Sequence, residues 1–164
     1  ILVINASVQI RANWMDITPE QFEQQMTVNF KQSLFLAQQY VPAMITQKWG
    51  RIVTVGSVQQ YKPHEQMLVY AASKQAQMSM VRSLARQLAC NNITVNNIAP
   101  GTINTPRNES VLSNDVYRKK CMDAIPCGRF GTAEDCAELA VLLCSEKSSY
   151  ITGCDIPCDG GLHL

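Results

Sequence analysis

The stretch Ser57–Lys74, with the sequence SVQQYKPHEQMLVYAASK, decides both the predicted fold and the predicted chemistry. It follows the run Ile52–Val55, which is typical of a buried strand. Tyr70 and Lys74 are four residues apart, so on a helix their side chains share one face. Because an ammonium near a phenol favours the phenolate, we expect a lowered Tyr70 pKa and a role for Tyr70 as a general acid or base.

Ser57 is predicted to complete a chemical site with this pair. It stands at the carboxyl end of the predicted strand, where open α/β sheets bind ligands. We expect its hydroxyl to donate a hydrogen bond to a substrate oxygen while Tyr70 moves the proton. A tyrosine and a lysine four residues apart also occur by chance in many helices. The order of parts favours chemistry here: strand, serine, loop, Tyr-x-x-x-Lys helix, strand and Pro-Gly turn.

Four groups of residues, in this order, resemble the short-chain dehydrogenase/reductase family. Gly50–Ser57 is similar to its catalytic-serine strand and Tyr70–Lys74 to its Tyr-x-x-x-Lys helix. Ile93–Thr105 resembles its next strand and cofactor loop, and Tyr150–Gly161 its C-terminal signature. The resemblance covers nearly the whole chain. It implies a doubly wound, parallel α/β sheet of Rossmann type, present here as the C-terminal two-thirds only.

The resemblance also implies an activity and roles for individual residues. An alcohol would be oxidised or a ketone reduced, with a hydride passing between NAD or NADP and the substrate carbon. The implied catalytic residues are Asn29, Ser57, Tyr70 and Lys74, with Asn29 helping to hold a water that links the lysine to solvent. The implied cofactor contacts are Asn5, Ala6, Tyr70, Lys74, Pro100, Gly101, Ile103 and Thr105. Sugars, polyols and 3-oxoacyl compounds all remain open as substrates.

The start of the sequence lies inside a predicted strand, Ile1–Ile4. A Gly-x-x-x-Gly-x-Gly phosphate loop, which opens proteins of the resembled family, is absent from the sequence. We therefore expect the C-terminal part of a family member, with the choice of NAD or NADP set by residues outside this chain. Asn5 and Ala6 match the family's Asn-Asn-Ala-Gly segment, whereas Ile4 and Ser7 replace its first asparagine and its glycine.

Composition excludes several partners. The 164 residues are 46% hydrophobic and carry a net charge of +1, which fits one globular α/β domain over residues 1–164. The sequence contains no basic run that would indicate nucleic acid binding and no apolar run that could span a membrane. The seven cysteines favour free thiols in a reducing cytoplasm. Cys154 and Cys158 have a spacing suggestive of a metal site, but no second pair completes it, so no metal is predicted.

Helix signals mark the region before the serine strand. Thr18–Gln21 predicts a helix start with a capping box and a proline at the first position. The helical pattern runs toward Trp49, with a break expected near Asn29, a kink at Pro42 and a stop at Gly50.

Two polar residues each have two possible roles. His64 lies in the loop between Ser57 and Tyr70, where it would either donate to a substrate or be solvated. Arg107, in the unpatterned segment 102–115, would either bind an acidic substrate group or simply lie exposed.

The sequence also predicts an oligomer and leaves a second class of function open. The apolar side chains of the predicted helices 29–47 and 70–90 indicate pairing with another subunit, as in the resembled family, to give a dimer or tetramer. A catalytically silent binding or assembly module with the same fold also stays open. The complete catalytic set argues against it, and the changes at Ile4 and Ser7 argue for it.

Overall fold

The computed structural model describes the backbone of residues 1–164 and all side chains except those of Ser110 and Val111. Its centre is a four-stranded parallel sheet in the order β1-β2-β3-β4. The strands are Leu2–Ile4 (β1), Gly50–Val55 (β2), Ile93–Pro100 (β3) and Asp155–Cys158 (β4). The predicted parallel sheet is confirmed.

Six α-helices connect and cover the strands. Their bounds are Pro19–Met26 (α1), Gln32–Gln47 (α2), Leu68–Leu88 (α3), Pro106–Leu112 (α4), Asp115–Asp123 (α5) and Ala133–Leu143 (α6). A π-helical segment, Thr27–Lys31, joins α1 to α2. Short 3₁₀ turns cover Trp14–Asp16, Val58–Gln60, Ala89–Asn91 and Glu146–Ser148.

Helices cover both faces of the sheet. Neighbouring residues of a strand point to opposite faces, so each residue packs against a different helical layer from the next. Ile52 packs with Met44 of α2 and Met78 of α3 on one face. Val53, the next residue, packs with Leu143 of α6 on the other face. This two-sided burial explains why the central strands read as continuous apolar runs, and it agrees with the predicted Rossmann-like class.

The helix start at Thr18–Gln21 and the break near Asn29 are confirmed, the stop at Gly50 is wrong, and the kink at Pro42, which lies inside α2, stays a prediction. Thr18 and Gln21 cap α1 reciprocally, with hydrogen bonds of 3.3 and 3.2 Å. The break expected near Asn29 is the π-helical segment. Gly50 does not stop the helix, because Lys48 takes the left-handed position with φ of 51°. Gly50 instead opens β2, where an added Cβ would lie 2.6 Å from Met44 Sδ.

Exposed apolar side chains concentrate on α2 rather than on α3. Phe35, Leu36 and Tyr40 are 53%, 38% and 51% exposed. Most apolar residues of α3, such as Met78 and Val81, are buried within the chain itself. Of these two helices, α2 therefore carries most of the exposed apolar surface, and the pairing with another subunit stays a prediction.

Candidate active site

A cavity of about 890 Å³ opens where β1, β2 and β3 reach their carboxyl ends. We call it the strand-end cavity. Its walls include Asn5 after β1, Ser57 after β2, and Gly101 after β3, and Tyr70 of α3 faces it as well. Parallel strands bring their carboxyl ends to one edge of the sheet, which is why residues so distant in sequence meet there.

Ser57 is held by the turn that follows β2. It caps the 3₁₀ turn Val58–Gln60, accepting a 3.2 Å hydrogen bond from the Gln59 backbone N–H. The Ser57 backbone N–H donates to Gln60 Oε1 at 3.2 Å. Gln60 Nε2 in turn donates to Asp155 Oδ2 at 2.6 Å. The carboxylate of Asp155, on β4, thus fixes the turn that carries Ser57.

A second arm of this network runs behind the turn. Asn97 Nδ2 donates to the other Asp155 oxygen at 2.6 Å, and Thr54 Oγ1 donates to Asn97 Oδ1 at the same distance. Gly56 leaves room for it, because an added Cβ would collide with the amides of Asn97 and Gln60. Sequence reasoning missed this network. The available signal was the presence of polar Asn97 and Asp155 in strands that are otherwise apolar.

Tyr70 is a buried phenol beside Ser57. It is 5% exposed and lines the cavity together with Ser57. Burial raises the Tyr70 pKa, while the Ser57 hydroxyl and the charge of Arg107 act in the opposite direction. The expected lowering of the Tyr70 pKa by Lys74 is therefore wrong for this structure, because loss of water around the phenolate outweighs the favourable contacts.

Lys74 lies behind Tyr70, at the base of the site. Its Nζ is 5.9 Å from the centre of the Tyr70 ring and donates to the Val55 carbonyl at 2.7 Å. The side chain is 1% exposed. Burial, with a smaller contribution from the charge of Arg107, lowers the Lys74 pKa to about 8. At neutral pH the amine therefore still carries its proton, but it releases that proton more easily than an exposed lysine.

Asn29 is fully buried and bridges three segments. Its Oδ1 accepts from Val8 N at 2.8 Å, and its Nδ2 donates to Val8 O at 2.8 Å and to Ser73 Oγ at 2.9 Å. Ser73 Oγ donates to the Tyr70 carbonyl at 2.7 Å. Asn29 thus ties the loop after β1 to the helix that carries Tyr70 and Lys74. Its role in a water relay stays a prediction.

The structure brings most of the predicted site residues to one cavity. Those that line it are Asn5, Ser57, Tyr70, Pro100, Gly101, Ile103 and Thr105. Asn29 and Lys74 lie behind the wall, and Ala6 is exposed outside it. His64 and Arg107 also line the cavity. His64 Nδ1 accepts from the Gln66 backbone at 3.1 Å, and Arg107 contacts Ser7.

The part of the chain whose side chains are described shows neither a metal centre nor a membrane-spanning helix. No group of three or more histidine, cysteine or acidic side chains in that part of the chain is arranged to hold a metal ion. All seven cysteines are free thiols. None of the described helices combines the length and apolar character needed to cross a membrane.

Comparison with known proteins gives consistent matches over the whole chain. A family model described as enoyl-(acyl carrier protein) reductase matches residues 1–163. The 3-oxoacyl-[acyl-carrier-protein] reductase FabG of Thermotoga maritima is 38% identical over 100% of this chain and 66% of its own length. FabG of Aquifex aeolicus is 36% identical, over 99% of this chain and 64% of its own length. The chain thus spans just under two thirds of these relatives.

Solved structures match equally well. A putative NAD(P)-dependent gluconate 5-dehydrogenase from Beutenbergia cavernae, with bound NADP, superposes with a TM-score of 0.95 at 32% identity, covering 98% of this chain and 65% of that protein. A 3-oxoacyl (acyl-carrier-protein) reductase from Agrobacterium tumefaciens, with NADP bound, gives a TM-score of 0.90 at 36% identity, with 98% and 63% covered.

Proposed function

Because this chain belongs to the short-chain dehydrogenase/reductase family, we propose that the protein is a nicotinamide-dependent oxidoreductase that interconverts an alcohol and a ketone. The observation that carries the proposal is that Ser57 and the buried Tyr70 line the strand-end cavity together, with the buried Lys74 directly behind Tyr70. Two adjacent hydroxyl groups at a partly apolar site can bind and protonate one substrate oxygen.

The cavity wall suits a nicotinamide cofactor, NAD or NADP. Pro100 and Ile103 offer apolar surface for a flat ring, and the side chains of Asn5 and Thr105 offer hydrogen-bonding groups beside it. With Gly101 and Ala6 they would hold the cofactor, and Lys74 and Tyr70 would bond its ribose. Relatives crystallised with NADP support the same class of cofactor. When bound, this cofactor supplies or accepts the hydride.

The chain's own residues would handle the proton. The Ser57 hydroxyl donates a hydrogen bond to the substrate oxygen and fixes its position. Tyr70 gives its proton to that oxygen during reduction and takes it back during oxidation. Its raised pKa keeps the phenol protonated at neutral pH, which suits the reductive direction. Lys74 and the Asn29 region would return the proton from solvent through bound water.

Substrate, assembly and location follow as parts of the same proposal. Relatives named 3-oxoacyl-[acyl-carrier-protein] reductases and gluconate dehydrogenases support a 3-oxoacyl, sugar or polyol substrate. The exposed apolar side chains of α2 support a homodimer or homotetramer. Seven free thiols suit a reducing compartment, and we place the protein in the cytoplasm.

The test is Tyr70→Phe in the complete protein, with nicotinamide absorbance followed over a panel of alcohols and ketones. Because the proton-transfer oxygen is lost, turnover should fall by roughly 10²-fold or more, while nucleotide binding weakens at most by the loss of one ribose hydrogen bond. Tyr150→Phe is the matched control, since Tyr150 is fully exposed. Near-normal turnover of Tyr70→Phe would refute the mechanism. A wild-type protein that binds nucleotide but turns over nothing would support the silent binding module instead.

A further inference from the structure

The strand-end cavity is cationic although the chain as a whole is nearly neutral. Four basic side chains line it, Arg11, Lys62, Arg107 and Lys120, together with His64. The side chains described along its wall include no aspartate or glutamate. The chain as a whole balances 14 basic against 13 acidic residues, so this one-sided lining is local. A cleft lined by charges of one sign concentrates ligands of the opposite sign.

The basic side chains approach the cavity from several directions. Arg11 comes from the loop after β1, Lys62 from the loop after β2, and Lys120 from α5. Arg107, in the first turn of α4, lines the cavity from a fourth segment. A cationic wall assembled from four separate segments surrounds whatever binds there, rather than forming a patch on one helix.

Arg107 is the basic residue with the most direct connection to the reacting groups. Its charge lowers the pKa of both Tyr70 and Lys74, although burial determines the net shift of each. Its guanidinium reaches across the cavity to Ser7, with Nη1 donating to Ser7 Oγ and Nη2 to Ser7 O, both at 2.8 Å. Arg107 thus spans the space between the loop after β1 and the helices after β3.

The partners of Arg107 are neutral, unlike those of Arg51 and Arg129. Arg51 pairs with Glu146 at 3.1 Å, and Arg129 pairs with Asp135 at 2.7 Å. Among the described side chains, no carboxylate forms an ion pair with Arg107. Its two donors are already presented side by side, as in the forked geometry that binds a carboxylate or phosphate. A ligand anion would therefore form a stronger pair than Ser7 does.

We propose that the substrate carries an anionic substituent, a carboxylate or phosphate, which Arg107 binds in exchange for Ser7 while the reacting oxygen meets Ser57 and Tyr70. This inference rests on the proposed oxidoreductase function. It narrows the substrate class to oxo acids or phosphorylated ketones and to the corresponding alcohols. Arg11, Lys62 and Lys120 would attract the anion to the cavity, and Arg107 would position it.

The experiment compares matched substrates in the complete protein. Each anionic ketone is paired with a neutral counterpart: 3-oxobutanoate with methyl 3-oxobutanoate, 5-keto-D-gluconate with L-sorbose, and dihydroxyacetone phosphate with dihydroxyacetone. The wild-type protein should prefer the anionic member of at least one pair by tenfold or more in kcat/KM. Arg107→Met should reduce that preference by about 10- to 100-fold, mainly through KM, because a hydrogen-bonded charge pair is lost. Arg107→Lys should restore part of it, since the charge returns without the fork.

The cofactor phosphates are the other source of anionic groups, and a second measurement separates them. The Kd values of NADH and NADPH are measured by nucleotide fluorescence for wild type and Arg107→Met. Arg86→Met, an exposed arginine of α3, is the control in all assays. A weakened nucleotide Kd with an unchanged preference between paired substrates would assign Arg107 to the cofactor and overturn the proposal.

Two further outcomes also decide the question. Turnover of the neutral members alone would overturn the anionic substrate class and leave the proposed function intact. Absence of turnover with every member would count against both. A melting temperature of Arg107→Met equal to that of wild type shows that a lost preference does not arise from unfolding.

Discussion

Replacing Lys74 by methionine should stabilise the protein at neutral pH, because it removes a buried charge. Lys74 is 1% exposed, and burial lowers its pKa from 10.5 to about 8. Since each unit of pKa corresponds to about 1.4 kcal/mol, keeping this amine protonated costs the folded state roughly 3 kcal/mol. Loss of the 2.7 Å hydrogen bond to the Val55 carbonyl offsets about 1–2 kcal/mol of the gain. We expect a net stabilisation on the order of 1–2 kcal/mol, together with loss of activity.

The pH dependence has a defined sign. Below pH 8 the folded and unfolded states both hold the Lys74 proton, and the full cost of burial is present. Between pH 8 and pH 10.5 the unfolded state keeps the proton while the folded state releases it, so wild-type stability rises with pH relative to the variant. Between about pH 7 and about pH 10, the advantage of Lys74→Met should therefore shrink by about 2 kcal/mol.

The assay is denaturant unfolding of the complete protein without nucleotide, followed by circular dichroism at several pH values in that range. The difference between wild type and variant isolates the contribution of Lys74, because every other titratable group is present in both proteins. Lys119→Met serves as the control, because Lys119 is exposed and pairs only with Asp123 at the surface. If the free energies of unfolding of wild type and Lys74→Met change in parallel with pH, burial of the Lys74 ammonium does not destabilise the fold, and the reasoning is wrong.

Two further predictions concern the Ser57 turn and assembly. Asp155→Asn should lower kcat and destabilise the fold by about 1.5–3 kcal/mol, because Gln60 and Asn97 donate to different carboxylate oxygens and the asparagine side chain has only one oxygen. Unchanged steady-state kinetics and an unchanged melting temperature would contradict this. Sedimentation of the complete protein at micromolar concentration should give a dimer or tetramer, and Phe35→Glu on the exposed face of α2 should dissociate it; a wild-type monomer would rule out the subunit contact.

The sequence predicted the parallel sheet because its signals are local. Ile52–Val55 is a short, mostly apolar run, Ile93–Ile98 holds three apolar residues in six, and both prove to lie in buried strands. Thr18 and Gln21 form the expected capping box, since the two residues of a capping box are only three positions apart in sequence. The prediction of the helix end at Gly50 was wrong because Lys48 takes the left-handed position that favours glycine, and Gly50 begins β2, where close packing against Met44 leaves no room for a Cβ.

By itself, then, the sequence determined the α/β class, the family and the pairing of Ser57 with Tyr70. Only the tertiary structure decided the electrostatics of that pair. The Tyr70 pKa rises because burial depends on everything packed around the ring, which the four-residue spacing to Lys74 does not contain. The contact of Arg107 with Ser7 joins residues 100 positions apart, and Gln60 meets Asp155 across 95. Such contacts arise because parallel pairing sets segments that are distant in sequence side by side, as it sets Asp155 of β4 beside Asn97 of β3, so no local pattern could have predicted them.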